Sequence, residues 1–231
     1  MKWEVIYFDI DNTLFDYEES FQKGMMATCK KSIKNINEGE WFKHFKMFCD
    51  EFWGKYERKE WTQQEYRYQR LYHSLLPFNI QISQPFSEMF HNEFERTVHN
   101  YATPYPDVIP TLYAFKERGH KLGIISNGKT QTQMNKLIHL GVFPFFEGNI
   151  FISADIKYEK PDPRIFHYVR QRLGEVNLPL YIGDSYEQDV AGAKEADWDV
   201  IHFQYCNSKS LRENIPVCSS YQEILEYITM N

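Results

Sequence analysis

The sequence predicts an α/β fold: a parallel sheet covered by helices on both faces, interrupted near its start by an all-helical insertion. Three observations carry this. Residues 3–8 (WEVIYF) form a short apolar, aromatic run of strand character. Residues 17–100 change texture, with apolar and aromatic side chains at helical spacing among many Lys, Glu, Gln and Asn. Beyond residue 103, strand-type and helix-type segments alternate to the last residue, the pattern of a parallel sheet with helical crossovers.

In chain order, the first strand runs straight into Asp9-Ile10-Asp11-Asn12-Thr13. In EWFKHFKMFCDEFWGKY, residues Phe42, Phe45, Phe48 (or Cys49) and Phe52 recur at steps of three and four, one face of a helix. Thr62, with Glu65 three residues on, marks a helix start. TPYPDVIP then sets three prolines within seven residues, a boundary signal. The domains are therefore expected at 1–16 with 103–231, and at 17–102. A helix over 109–118 should close at Gly119, where left-handed backbone is needed. Further strands are predicted at 120–126, 149–153, 178–183 and 199–203, and helices at 130–140, 163–173, 188–196 and 221–229.

Of 231 residues, 42% are hydrophobic and 17% aromatic, enough to fill a folded core. A net charge of −6 and a pI near 5.8 give no basic footprint for a nucleic acid polymer or an anionic membrane. The cysteines (Cys29, Cys49, Cys206, Cys218) are scattered and form no C-x-x-C pair, which suits reduced thiols better than disulfides or zinc. No signal-peptide core opens the chain, and no apolar run reaches the roughly 20 residues that span a bilayer. A cytoplasmic protein without membrane partners is expected, and a monomer is assumed.

In open α/β sheets, ligands bind beyond the carboxyl ends of the strands. Those ends carry Asp9 and Asp11, then Ser126-Asn127-Gly128, then Lys157 and Lys160 within ADIKYEKPDP, then Gly183-Asp184-Ser185 followed by Asp189. Acids, a hydroxyl, backbone donors and a lysine at one rim suit a divalent cation and a phosphate, and hard oxygen ligands suit Mg2+. A cation would offset the solvation cost of carboxylates set at the end of a buried strand.

Four stretches in this order resemble the haloacid dehalogenase-like hydrolase superfamily, and the resemblance extends over the whole chain. D-x-D-x-T is met by DIDNT, a strand-ending Ser by Ser126 in ISNG, a Lys before Pro by Lys160 in EKPDP, and G-D-x-x-x-x-D by GDSYEQD. The helical insertion resembles that superfamily's α-helical cap. The opening MKWEVIYFDIDNTLFD and the TPYPDV return resemble its bacterial nucleotidase-type branch. The resemblance implies a Rossmann-like core in which Asp9 attacks phosphorus and Asp11 acts as acid and base. It implies Mg2+ held by Asp9, Asp184 and the Asp11 main-chain carbonyl with Asp189 close by, and phosphate held by Ser126, the Asn127 amide and Lys160. An acid at position 11 separates phosphatases and phosphotransferases from dehalogenase-type members, which have no phosphate leaving group to protonate. The implied activity is Mg2+-dependent hydrolysis of a small phosphorylated metabolite. A nucleoside 5'-monophosphate is the first expectation, a sugar phosphate the second, and a mutase-type phosphotransferase would share the motifs. Two departures from the family pattern stand out: Asp197 follows Ala196 where Gly is usual, and Lys59 occupies a turn position that is often Gly.

Rival readings are weaker. GIISNGKT (Gly123–Thr130) matches the P-loop pattern, but a P-loop strand would have to end before Gly123, leaving only His120-Lys121-Leu122. An EF-hand fails because Leu14 and Ser20 stand where Gly and Glu are required. Singly, Asp184 and Asp189 would pass as a helix cap and a first-turn acid. Lys157 reads as a solvated lysine, Arg58, Lys59 and Arg70 as a solvated face, and the aromatics of the insertion as bundle core.

Overall fold

In the computed structural model, residues 2–174, 179–206 and 215–231 are described. The first strand, β1 (Val5–Phe8), leads into four helices: α1 (Tyr17–Ser32), α2 (Glu38–Glu57), α3 (Gln63–Leu75) and α4 (Gln84–Thr97). Next come α5 (Val108–Glu117), β2 (Lys121–Ser126), α6 (Thr130–His139), α7 (Phe143–Phe146), β3 (Ile150–Ile152), α8 (Ser153–Ile156) and α9 (Pro163–Leu173). After β4 (Leu180–Gly183) follow a π-helical segment (Tyr186–Ala191), α10 (Gly192–Glu195), β5 (Asp199–Phe203), β6 (Val217–Cys218) and α11 (Tyr221–Met230). The chain divides into two compact units, Met1–Tyr17 with Ala102–Asn231, and Glu18–Tyr101.

The first unit holds one parallel sheet in the order β3-β2-β1-β4-β5-β6. The chain builds outward from β1 through β2 to β3, then returns to lay β4 on the other side of β1. The direction of winding thus reverses between β1 and β4, the point at which such sheets open a crevice at their carboxyl edge. Every residue of β1 is buried. Its alternate side chains feed two cores: Ile6 and Phe8 join Leu122, Ile124, Phe146 and Tyr221 on one face, and Val5 and Tyr7 join Ile125, Phe166, Tyr181 and Trp198 on the other. This explains why the strand reads as a continuous apolar run. Gly123 lies inside β2, where a Cβ would overlap the Tyr7 ring; the first glycine of the P-loop pattern is therefore a close-packing position in mid-strand.

Three expectations are corrected. The helix expected over 188–196 is a π-helical segment followed by the short α10, because the chain bends to bring Asp189 back under β4. The strand expected over 178–183 begins at Leu180 among the described residues, and position 178 lies outside them. Ser153 opens the one-turn α8 and does not extend β3. The elements α7, α8 and β6 were not expected; they are too short to show a period.

The second unit, residues 18–101, is wholly helical. Trp41, Phe45, Phe90 and Phe94 are buried in it, with the Trp41 and Phe45 rings 5.0 Å apart and the Trp41 indole donating to Ser74 Oγ at 3.0 Å. Of the alternatives on α2, Cys49 is the buried residue and Phe48 the partly exposed one. Thr62 and Glu65 form a reciprocal cap: Thr62 Oγ1 accepts from the Glu65 amide at 3.1 Å, and Glu65 accepts from the Thr62 amide at 2.9 Å. No helix of the described residues is long and apolar enough to cross a membrane.

Candidate active site

The crevice between β1 and β4 gathers Asp9, Lys160, Asp184 and Asp189. Asp9 follows β1 directly, and its amide still pairs with Ile182 of β4 at 2.9 Å, which fixes the carboxylate at the strand end. Lys160 crosses from the far side, buried at 4% exposure. Its Nζ donates to Asp9 Oδ1 at 2.7 Å, to Asp189 Oδ1 at 2.6 Å and to the Tyr181 hydroxyl at 2.8 Å. Three acceptors use up the three ammonium protons. Burial alone would lower the Lys160 pKa, but the Asp189 and Asp9 carboxylates outweigh it and hold the ammonium charged.

Asp189 reaches this point because Gly183 has no side chain; a Cβ there would collide with the Asp189 carboxyl group. Asp189 Oδ2 accepts from the Ser185 amide at 2.9 Å. Asp184 follows β4, and its carbonyl accepts from the buried His202 at 2.7 Å, which anchors the loop to β5. Asp9, Asp184 and Asp189 each offer an oxygen within 4.8 Å of the others. Burial, reinforced by the Asp9 and Asp189 charges, pushes the Asp184 carboxyl up to about 8. Burial also raises Asp9, against the pull of Lys160. Three acids face one lysine, and this surplus of hard oxygen charge fits a small divalent cation.

Ser126 ends β2, and Asn127 follows it. The Asn127 side chain clamps the lysine loop, donating to the Lys160 carbonyl at 2.9 Å and accepting from the Lys160 amide at 2.8 Å. The Asn127 side chain is thus committed to the lysine loop and turned away from a ligand. Ser126 Oγ accepts from Gln133 Nε2 at 2.8 Å, so its own proton is directed elsewhere. Asp11 is placed apart from the acid cluster: Lys136 Nζ donates to its two oxygens at 2.6 and 2.7 Å, and Gln133 Nε2 lies 3.3 Å from Oδ2. Each aspartate of the D-x-D pair therefore has its own buried lysine.

Lys136 and Gln133 escaped the sequence reading. For Gln133 a signal existed: it stands four residues before the buried Leu137, on the same helical face, where a polar residue is unexpected; Lys136 gave none. Lys157 is exposed and takes no part, and Arg58 pairs with Glu60 on the surface of the helical unit. Arg70 packs its guanidinium 4.6 Å from the Tyr66 ring centre and 5.1 Å from that of Phe45.

Residues 3–197 match the family model described as haloacid dehalogenase-like hydrolase. A glyceraldehyde 3-phosphate phosphatase of Methanopyrus kandleri is 42% identical over 104 residues, a match spanning 45% of this chain and 44% of that relative. The pyrimidine 5'-nucleotidase YjjG of Escherichia coli is 27% identical over 85% of this chain and 84% of its own. In fold, the chain is similar to the HAD-hydrolase YfnB of Bacillus subtilis, solved bound to magnesium, with a TM-score of 0.83, 21% identity and 99% of each chain covered.

Proposed function

Since the chain belongs to the haloacid dehalogenase-like hydrolases, we propose that it is a Mg2+-dependent phosphatase that hydrolyses a small phosphomonoester through an aspartyl-phosphate on Asp9. The observation that carries this reading is the pairing of Lys160 with Asp9 beside a second, separately held aspartate, Asp11. Asp9 has one oxygen on Lys160 and the other to attack phosphorus in line. As that O–P bond forms, the P–O bond to the leaving group breaks, and Asp11, which enters this step in its protonated form, gives that proton to the leaving oxygen. Water then attacks the same phosphorus and passes a proton to Asp11, and the bond to Asp9 breaks to release inorganic phosphate.

Asp9, Asp184 and the Asp11 carbonyl would hold the Mg2+, with Asp189 adding charge from behind Lys160. The ion supplies charge neutralisation, which lets an anionic phosphate approach an anionic nucleophile. The Ser126 hydroxyl and the Asn127 amide bind the phosphoryl oxygens, and the Lys160 ammonium, held on Asp9, offsets their charge. The helical unit takes the cap role and sets substrate choice. Nucleoside 5'-monophosphates come first and sugar phosphates second, the two classes that the names of YjjG and the Methanopyrus phosphatase represent.

The test is phosphate release from a panel of nucleoside monophosphates and sugar phosphates, with Mg2+ or with EDTA. Chelation is expected to abolish release, and Asp9→Asn to abolish it with Mg2+ present. Full activity in either case would overturn the mechanism.

A further inference from the structure

Two side chains of α6 hold Asp11, and neither belongs to the four motifs. Lys136 and Gln133 are one helical turn apart and point the same way. They are 4% and 2% exposed, whereas the Asp11 side chain they contact is 29% exposed. That contrast is informative. An acid with this much access to water needs no lysine to make its charge tolerable, and burying a lysine to meet it costs solvation. Lys136 is fixed further by aromatic faces, its Nζ 4.6 Å from the Tyr17 ring centre and 5.9 Å from that of Phe15. The Gln133 amide reaches three groups at once: Ser126 Oγ at 2.8 Å, the Asn127 carbonyl at 3.1 Å and Asp11 Oδ2 at 3.3 Å.

We propose that Lys136 and Gln133 are positioning residues that lock the Asp11 carboxyl group and the Ser126 hydroxyl into one frame, so that proton exchange with leaving group and water stays aligned with the phosphoryl group. The proposal rests on the reading of Asp9 and Asp11 given above. Lys136 grips both Asp11 oxygens with one ammonium, and Gln133 ties the carboxylate to the phosphate-binding serine. Losing Lys136 should impair chemistry and leave phosphate binding, through Ser126 and the Asn127 amide, intact; losing Gln133, which also holds Ser126, should impair chemistry and loosen binding as well.

The experiment compares wild type with Lys136→Met, Lys136→Arg and Gln133→Leu on 4-nitrophenyl phosphate and on the best alkyl phosphate of the panel. Misaligned acid–base groups forfeit part of the roughly 10²–10⁴-fold that such catalysis provides. Lys136→Met is therefore expected to lower kcat on the alkyl phosphate by about tenfold or more, with KM within about threefold. Nitrophenolate leaves without a proton, so the same variant should release about one equivalent in a burst and then turn over slowly. Lys136→Arg should restore most of kcat, and the Mg2+-induced rise in melting temperature should persist in all variants. Gln133→Leu carries the test if Lys136→Met does not fold, with a smaller loss of kcat and the same burst. A kcat within twofold of wild type for both variants overturns the proposal, as does a loss confined to KM, or a lost Mg2+ response without rescue by arginine. Activity retained by Asp9→Asn would instead overturn the underlying reaction, so the two failures are distinguishable.

Discussion

Among the described residues, every buried aspartate and lysine belongs to the α/β unit: Asp9, Lys136, Lys160 and Asp189. The helical unit, residues 18–101, buries only neutral polar side chains, Ser20, Thr28, Ser74, Ser87 and His91, around its aromatic core. Withdrawing paired charges from water costs several kcal/mol per ion, and apolar groups of similar size often serve stability better. The helical unit follows that rule; the α/β unit departs from it at a single crevice. The departure marks where side chains are placed for chemistry, and substitution separates the two designs.

The largest separation is expected at Lys160. Lys160→Met strips Asp9 and Asp189 of their common cation and leaves Asp184 beside them. Breaking a buried pair in this way costs about 3–5 kcal/mol, and losing a charge that offsets the phosphate lowers kcat by about 10²–10³-fold. In the helical unit, Arg67 pairs with Glu95 at side-chain exposures of 22% and 19%. Arg67→Met should cost less, about 1 kcal/mol, because the pair is only partly withdrawn from water and Glu95 left alone can still be solvated. Urea denaturation of the two variants decides it. Equal losses would mean that the helical unit also relies on buried charge.

Acid should pick out the helical unit. Burial, aided by the Arg70 and Arg67 charges on α3, lowers His91 from its usual range to about 3, and its ring is held at 2.8 Å from the Ser87 carbonyl. Folded His91 is neutral where the unfolded chain would be protonated. Its contribution is therefore whole above the unfolded value near 6.5 and is lost as pH falls toward about 3. At pH 5 that amounts to about 2 kcal/mol, at 1.36 kcal/mol per unit. His91→Leu removes this dependence, so the drop in stability between pH 7.5 and 5 should shrink by about that much relative to wild type. An unchanged drop would show that other groups govern the acid response.

The two units also differ in how much of them the sequence discloses. Asp9, Ser126, Lys160 and Asp184 are legible because each ends or follows a strand, and a parallel sheet brings such ends to one edge whatever lies between them. The buried positions of α2 and the Thr62–Glu65 cap are legible from spacing alone. Lys136 is not, for a long-range reason. Its partner Asp11 lies 125 residues away, and a lysine in TQTQMNKL reads locally as a solvated helical residue. The π-helical segment is hidden for a different reason: its extra residue per turn exists to return Asp189 toward Lys160, and no apolar period records that. What the helical unit would recognise stays unread, because its aromatic spacing specifies a core and says nothing of a ligand.

The smallest predicted effects lie at the two positions where glycine is usual and this chain has another residue. Both prove to be left-handed helix ends, with φ of 60° at Lys59 and 58° at Asp197. Each closes its helix with the same pair of bonds. The Lys59 amide donates to the Tyr56 carbonyl and Glu60 to Lys55, at 2.9 Å each; Asp197 donates to Lys194 at 3.1 Å and Trp198 to Ala193 at 2.9 Å. A side chain in this conformation costs about 1–2 kcal/mol, less for aspartate, whose short polar group bonds locally. Glycine removes that strain but returns about 0.4–1 kcal/mol to the unfolded chain as entropy. Lys59→Gly should therefore stabilise the helical unit by about 0.5–1 kcal/mol, and Asp197→Gly should leave the α/β unit within a few tenths of wild type. Denaturant midpoints measured on the two variants side by side test this. A larger gain at Asp197 would mean that its carboxylate does not relieve the strain, and that the helix closing against β5 is the more stressed of the two.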